Sequence, residues 1–116
     1  MSKRLQEPKV FGLSQIQQEF DSYQNQAFPP RQPEFFALEL CGEAGELANL
    51  VKKQWRDPSK EVDFDHLSDE AADVFIALMN FVNSKGISLE ESVAKKLRRI
   101  EDKRLAGQMG KTAKSH

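Results

Sequence analysis

The chain of 116 residues is short of the side chains that most enzyme chemistry relies on, having one cysteine, Cys41, and two histidines, His66 and His116. A single thiol forms no intramolecular disulfide, and it cannot build a cysteine-rich zinc site. Excess charge of one sign is also missing: 17 Lys and Arg stand against 18 Asp and Glu, for a formal net charge of -1. The one-sided basic field that grips phosphate backbones is therefore absent, and no stable nucleic-acid binding is expected. Long apolar runs are lacking as well. The stretch from Ala71 to Ser84 is broken by Asp73 and is shorter than the roughly 20 residues of a membrane span, and Met1 to Phe11 hold no apolar signal-peptide core. These absences point to one small domain, with no membrane partner, in the cytoplasm.

Sustained two-residue alternation over strand length is absent too, so the elements are read from helical spacing and from the punctuation around it. Residues 1–12 are polar, carry Pro8 and Gly12, and read as a flexible arm. Ser14 with Gln17 resembles a capping box, and Ile16, Phe20 and Tyr23 follow at helical spacing, which predicts a first helix over 14–26. Phe28 to Gln32 cannot continue it, but Pro33 suits a first turn and opens a second helix that reaches Trp55 and stops before Asp57 and Pro58. A third helix starts at His66 or Leu67, His66 serving only to begin it, and runs to Asn83, with Gly86 closing it. Ser88 and Glu91 form another capping box at the head of a fourth helix striped by Val93, Leu97 and Ile100, which frays near Gly107. The expectation is an all-α, four-helix bundle-like domain over 13–106, followed by a disordered tail over 107–116.

Carboxylates carry the chemical signal. Glu39, Glu43 and Glu46 are spaced by four and three, so they share one stripe of the second helix, and Glu70 and Asp73 share a face of the third, with Asp69 beside them. Acids at helical spacing are ordinarily a solvated face. Here they sit among Leu40, Ala44, Leu47, Leu50 and Val51, and among Leu67, Ala71, Ala72, Val74, Phe75 and Ile76, which marks the third helix as central. Like charges near an apolar core need a positive partner. No Lys or Arg lies between Glu34 and Val51 or between Glu61 and Asn83, so a hard divalent cation fits best. Magnesium suits an all-oxygen site and manganese is an open alternative, whereas a di-iron bundle would show Glu-x-x-His pairs in place of Glu-x-x-Glu and Glu-x-x-Asp.

The stretch Glu43-Ala44-Gly45-Glu46-Leu47-Ala48-Asn49 with Lys52-Lys53, followed by Asp69-Glu70-Ala71-Ala72-Asp73-Val74, resembles the MazG-like all-α nucleoside triphosphate pyrophosphohydrolases over residues 34–97. Further support comes from Lys85-Gly86-Ile87-Ser88-Leu89-Glu90-Glu91 opening a helix that carries Lys96-Leu97. The resemblance implies magnesium-dependent cleavage of an NTP or dNTP between its α and β phosphates, giving a monophosphate and pyrophosphate and cleaning the nucleotide pool. It implies Glu43, Glu46, Glu70 and Asp73 as the magnesium ligands, with Glu46, and Glu43 beside it, serving the attacking water. It places Lys53 and Lys96 on the phosphates. Where related sequences often have an asparagine after Lys96-Leu97, this chain has Arg98, so Arg99 or Lys103 is left to make that contact.

Asn49, one turn after Glu46, and Glu39 on the same stripe are further candidates for substrate binding. A base could stack on Trp55, Phe28, Phe35, Phe36 or Tyr23 and be read by Gln15, Gln18 or Asn25. Cys41 is expected to pack as a small buried hydrophobe. The apolar third helix leaves more hydrophobic surface than one small bundle buries, so a homodimer or homotetramer is expected. Two alternatives stay open: a non-catalytic module of the same fold that binds nucleotides or proteins, and a structural helical dimer with solvated acids.

Overall fold

Proline, aspartate and glycine place the ends of four helices: α1 over Leu13–Ala27, α2 over Pro33–Arg56, α3 over Phe64–Ser84 and α4 over Leu89–Leu105. The structure is a computed structural model that describes residues 3–61 and 63–107, and among these there are no strands. The expected tail beyond 107 and the first two residues of the expected arm lie outside the described residues.

Pro33 stands in the first turn of α2, where its missing N–H costs nothing, with Glu34 beside it and Lys53 and Arg56 in the last turn, all in the order the helix dipole favours. The helix ends where the Asp57 N–H closes on the Lys53 carbonyl at 3.1 Å, just before Pro58. α3 begins two to three residues earlier than its apolar pattern suggests. The Asp63 carboxylate accepts the His66 N–H at 3.1 Å, so Asp63 is the cap and His66 lies inside the first turn. At its other end the Ile87 N–H bonds the Val82 carbonyl at 2.9 Å and the Gly86 N–H bonds the Asn83 carbonyl at 3.2 Å, with Gly86 at φ 66°. This is a Schellman closure, and it needs a residue that tolerates left-handed backbone. Ser88 caps α4 by accepting the Glu91 N–H at 3.3 Å, as its spacing suggests. Ser14 does not cap α1. The helix already starts at Leu13 after Gly12, and the Ser14 N–H donates to the Glu90 carboxylate at 3.3 Å.

The described chain forms two units. In the unit Gln17–Ile87, α2 and α3 pack against each other along their length, joined by a connector too short for anything but an antiparallel pair. Ala77, Met79 and Val82 of α3 and Phe36 of α2 are its buried apolar side chains. The C-terminal half of α3 is thus core, whereas Phe64 at its start is exposed, so only part of α3 is central within the single chain. The Gln17 amide donates to the Ile87 carbonyl at 2.6 Å, and the Asn83 amide donates to the Gln17 carbonyl at 3.1 Å, tying α1 to the end of α3.

In the other unit the N-terminal stretch is held on α4 by an ionic network. The buried Glu101 carboxylate accepts the Leu5 N–H at 2.6 Å and two Arg104 guanidinium N–H groups at 2.7 and 2.8 Å. Arg104 also reaches the Lys3 carbonyl at 2.8 Å, Arg4 pairs with Asp102, and Arg98 approaches Glu7 at 3.6 Å. The bonds from Arg104 and then from Leu5 hold the Glu101 carboxyl down at about 2.

Candidate active site

Antiparallel packing sets the register of the two acid-bearing helices. Phe36 and Glu39 of α2 share a cavity wall with Ile76 and Asn80 of α3, and Leu50 and Lys53 share another with Asp63 and Leu67. Midway between them the carboxylates meet: one oxygen from each of Glu43, Glu46 and Glu70 lies within 4.8 Å of the others. Glu43 and Glu70 are half-buried and Glu46 is exposed. Asp73 is close enough for its charge to act on Glu43.

The cluster is electrostatically unsatisfied. Burial, followed by the charges of Glu46, Asp73, Glu70 and Glu39, pushes the Glu43 carboxyl above its ordinary value. Glu43 Oε2 and Glu70 Oε2 are both buried, and neither has a hydrogen-bond partner among the described residues. Buried carboxylate oxygens without a donor are expensive, and a divalent cation is the group whose charge and oxygen preference fit them. The other oxygen of Glu70 faces His66 Nε2 at 3.2 Å, so His66 does more than begin the helix: it orients a carboxylate of the cluster.

Glu39, Glu46 and Lys53 follow one another at seven-residue steps and keep to one face, drifting by about 20° per step. On the Glu39 side lies a cavity of 380 Å³ walled by aromatic side chains, among them Tyr23, Phe28, Phe35 and Phe36. On the Lys53 side lies a smaller cavity of 190 Å³ where Lys53 meets Lys60. A polar cavity of 310 Å³, lined by Asp21, Asn25, Asn83 and Ser84, adjoins the aromatic one, and the two share Gln24, Arg31 and Asn80.

The remaining candidates are spread out. Asn49 is exposed one turn beyond Glu46, and Trp55 is 82% exposed and outside the aromatic cavity. Lys96 and Arg99 are exposed on α4, in the other unit, and Gln15 and Gln18 are exposed on α1. Asn25 lines the polar cavity. Cys41 is exposed rather than buried, because at 100° per residue it falls on the side of α2 away from the acids. Asn80, Arg31 and Lys60 escaped the sequence reading. For Asn80 a signal existed: it is the one polar residue between Val74 and Val82.

An all-helical unit thus brings a Glu-x-x-Glu pair and a Glu-x-x-Asp pair together, with two buried oxygens that have no partner among the described residues, in a carboxylate cluster of the kind that could hold a metal ion. The model of the MazG nucleotide pyrophosphohydrolase domain matches residues 31–104, more than half of the chain. The chain belongs to the MazG family. No curated protein and no solved structure matches it.

Proposed function

We propose that the protein is a magnesium-dependent pyrophosphohydrolase that cleaves an NTP or dNTP between the α and β phosphates, yielding the monophosphate and pyrophosphate. The observation that carries this reading is the pair of buried, unpartnered oxygens of Glu43 and Glu70 facing Glu46 and Asp73. These four residues would hold magnesium, or manganese in its place. When bound, such a cation neutralises charge on the phosphates and lowers the pKa of a coordinated water.

The chain's own side chains supply the rest. Glu46, the exposed member of the cluster, orients the attacking water and takes its proton. Glu43 fixes the geometry from the buried side. Lys53 and Lys60 draw the outer phosphates toward the far end of α2, and the base occupies the aromatic cavity beyond Glu39. Asn49 and Glu39 border the path between them, and Trp55, Lys96 and Arg99 are further candidate contacts to substrate. Such an enzyme serves cytoplasmic pool cleaning. Among the described residues no helix is long and apolar enough to cross a membrane.

The reading includes self-association as a homodimer or homotetramer. Leu38 and Trp55 on the outer side of α2 and Phe64 on α3 are more than two-thirds exposed in the single chain, an apolar surface that a second copy would cover. Light scattering after size exclusion tests the assembly. Product analysis tests the chemistry: pyrophosphate with monophosphate supports it, and orthophosphate with diphosphate contradicts it.

A further inference from the structure

We infer that Asn80 is the residue that reads the base edge, and so sets which nucleotides this site accepts. The inference rests on the proposed placement of a nucleobase in the aromatic cavity and adds to it the group that discriminates. Asn80 is 9% exposed, and its amide keeps its solvent access where it borders the cavities. It lines both the aromatic and the polar cavity. Its side chain makes no hydrogen bond to any described residue, whereas Asn83, one turn further along the same helix, donates its amide to the Gln17 carbonyl. An amide so placed, with one acceptor and two donors uncommitted among the described residues, is available to a ligand that enters the cavity.

The surroundings say what kind of ligand does so. Aromatic rings form much of the cavity wall, which suits the faces of a flat heteroaromatic ring. Among the polar groups that also line it, Tyr23, Gln24, Arg31, Glu39 and Asn80, the buried one is Asn80, whose amide also borders the polar cavity and has no partner among the described residues. A primary amide presents a donor and an acceptor side by side, the pattern that pairs with the adjacent donor and acceptor on a nucleobase edge. Arg31, which also borders both cavities, is already stacked over the Phe35 ring at 4.7 Å, so its guanidinium face is engaged. The polar cavity on the other side of Asn80 gives exocyclic groups a wet space to enter.

The test uses magnesium and α,β-methylene triphosphate analogues, whose binding is read by calorimetry without turnover. Each natural base is paired with a counterpart stripped of its exocyclic group: 2-pyrimidinone for cytosine and unsubstituted purine for adenine. The wild-type chain should bind its preferred natural base roughly 10- to 100-fold tighter than the stripped partner, because the amide is left unpaired by the latter. Asn80→Leu, checked for retained helicity by circular dichroism, should bring that ratio to within about threefold while leaving the affinity for the stripped analogue unchanged. A wild-type ratio near one, or a ratio preserved in the leucine variant, overturns the inference. Tight, Asn80-dependent binding of the analogues, with no pyrophosphate release from the corresponding natural triphosphate in magnesium, upholds Asn80 as the reader and refutes the hydrolase reading instead. Failure to bind any of the analogues refutes both.

Discussion

Replacing Glu43 by glutamine should have two opposite effects on thermal stability. In chelator the variant should melt higher than the wild type, since the substitution removes one member of a group in which Glu46, Asp73, Glu70 and Glu39 all disfavour the Glu43 charge. The new amide also offers a donor to carboxylate oxygens that lie within 4.8 Å in the wild type, and the buried Glu70 Oε2 has no partner there. In magnesium the order should reverse. A cation bound only by the native state adds RT ln(1 + [L]/Kd), about 2.7 kcal/mol at a hundredfold excess over Kd, which for a domain of this size is a rise of about 10 °C. Losing one ligand weakens the site and shrinks that increment. Differential scanning calorimetry of both proteins, with magnesium and with chelator, reads all four values. A variant that melts lower in chelator, or one that keeps the full magnesium increment, would refute the idea that these acids are strained against one another and relieved by a cation.

Two further predictions concern the scaffold. Gly86→Ala should lower stability by about 1 kcal/mol in urea denaturation, because φ 66° disfavours any side chain and the added methyl meets nothing within 4 Å that could offset it; an unchanged midpoint would refute the backbone argument. Glu101 has a carboxyl held at about 2 in the folded chain against 4.5 ordinarily, so its contribution is present above 4.5 and is lost as pH falls toward 2. Across that window the wild type should lose more stability than Glu101→Gln, and parallel pH profiles for the two would show that the link from Arg104 and Leu5 to Glu101 is not formed.

Different parts of the molecule were legible in the sequence to different degrees, for physical reasons. The helix ends were readable because Pro33, Asp57-Pro58 and Gly86 act through rules of the local backbone that no tertiary contact overrides. The acid stripe was readable for the same kind of reason: a spacing of four and three fixes a shared face of a helix before any packing is known. Ser14 misled because its N–H is met by Glu90, 76 positions along the chain, and a local capping rule takes no account of such a partner. Cys41 misled because apolar character suggested burial, whereas its angular position on α2 faces away from α3. Pairing of His66 with Glu70 was available from the i, i+4 spacing but was masked by the His66 position near a helix start. The aromatic cavity is a tertiary product. Phe20 and Tyr23 of α1, Phe35 and Phe36 of α2 and Ile76 and Asn80 of α3 meet only once those three helices are placed, so no window of sequence could show it.

The most direct test of the account is pyrophosphate and monophosphate release from a panel of ribo- and deoxyribonucleoside triphosphates, in magnesium and in chelator, with the wild type beside Glu70→Gln. Glu70 lies in the carboxylate cluster and presents one of its buried, unpartnered oxygens. The account predicts release of both products from at least one triphosphate in magnesium, none in chelator, and a loss of at least about a hundredfold in the variant while its helical circular dichroism is retained. Release that persists in chelator or in Glu70→Gln, or no release from any triphosphate by the folded wild type, would contradict it.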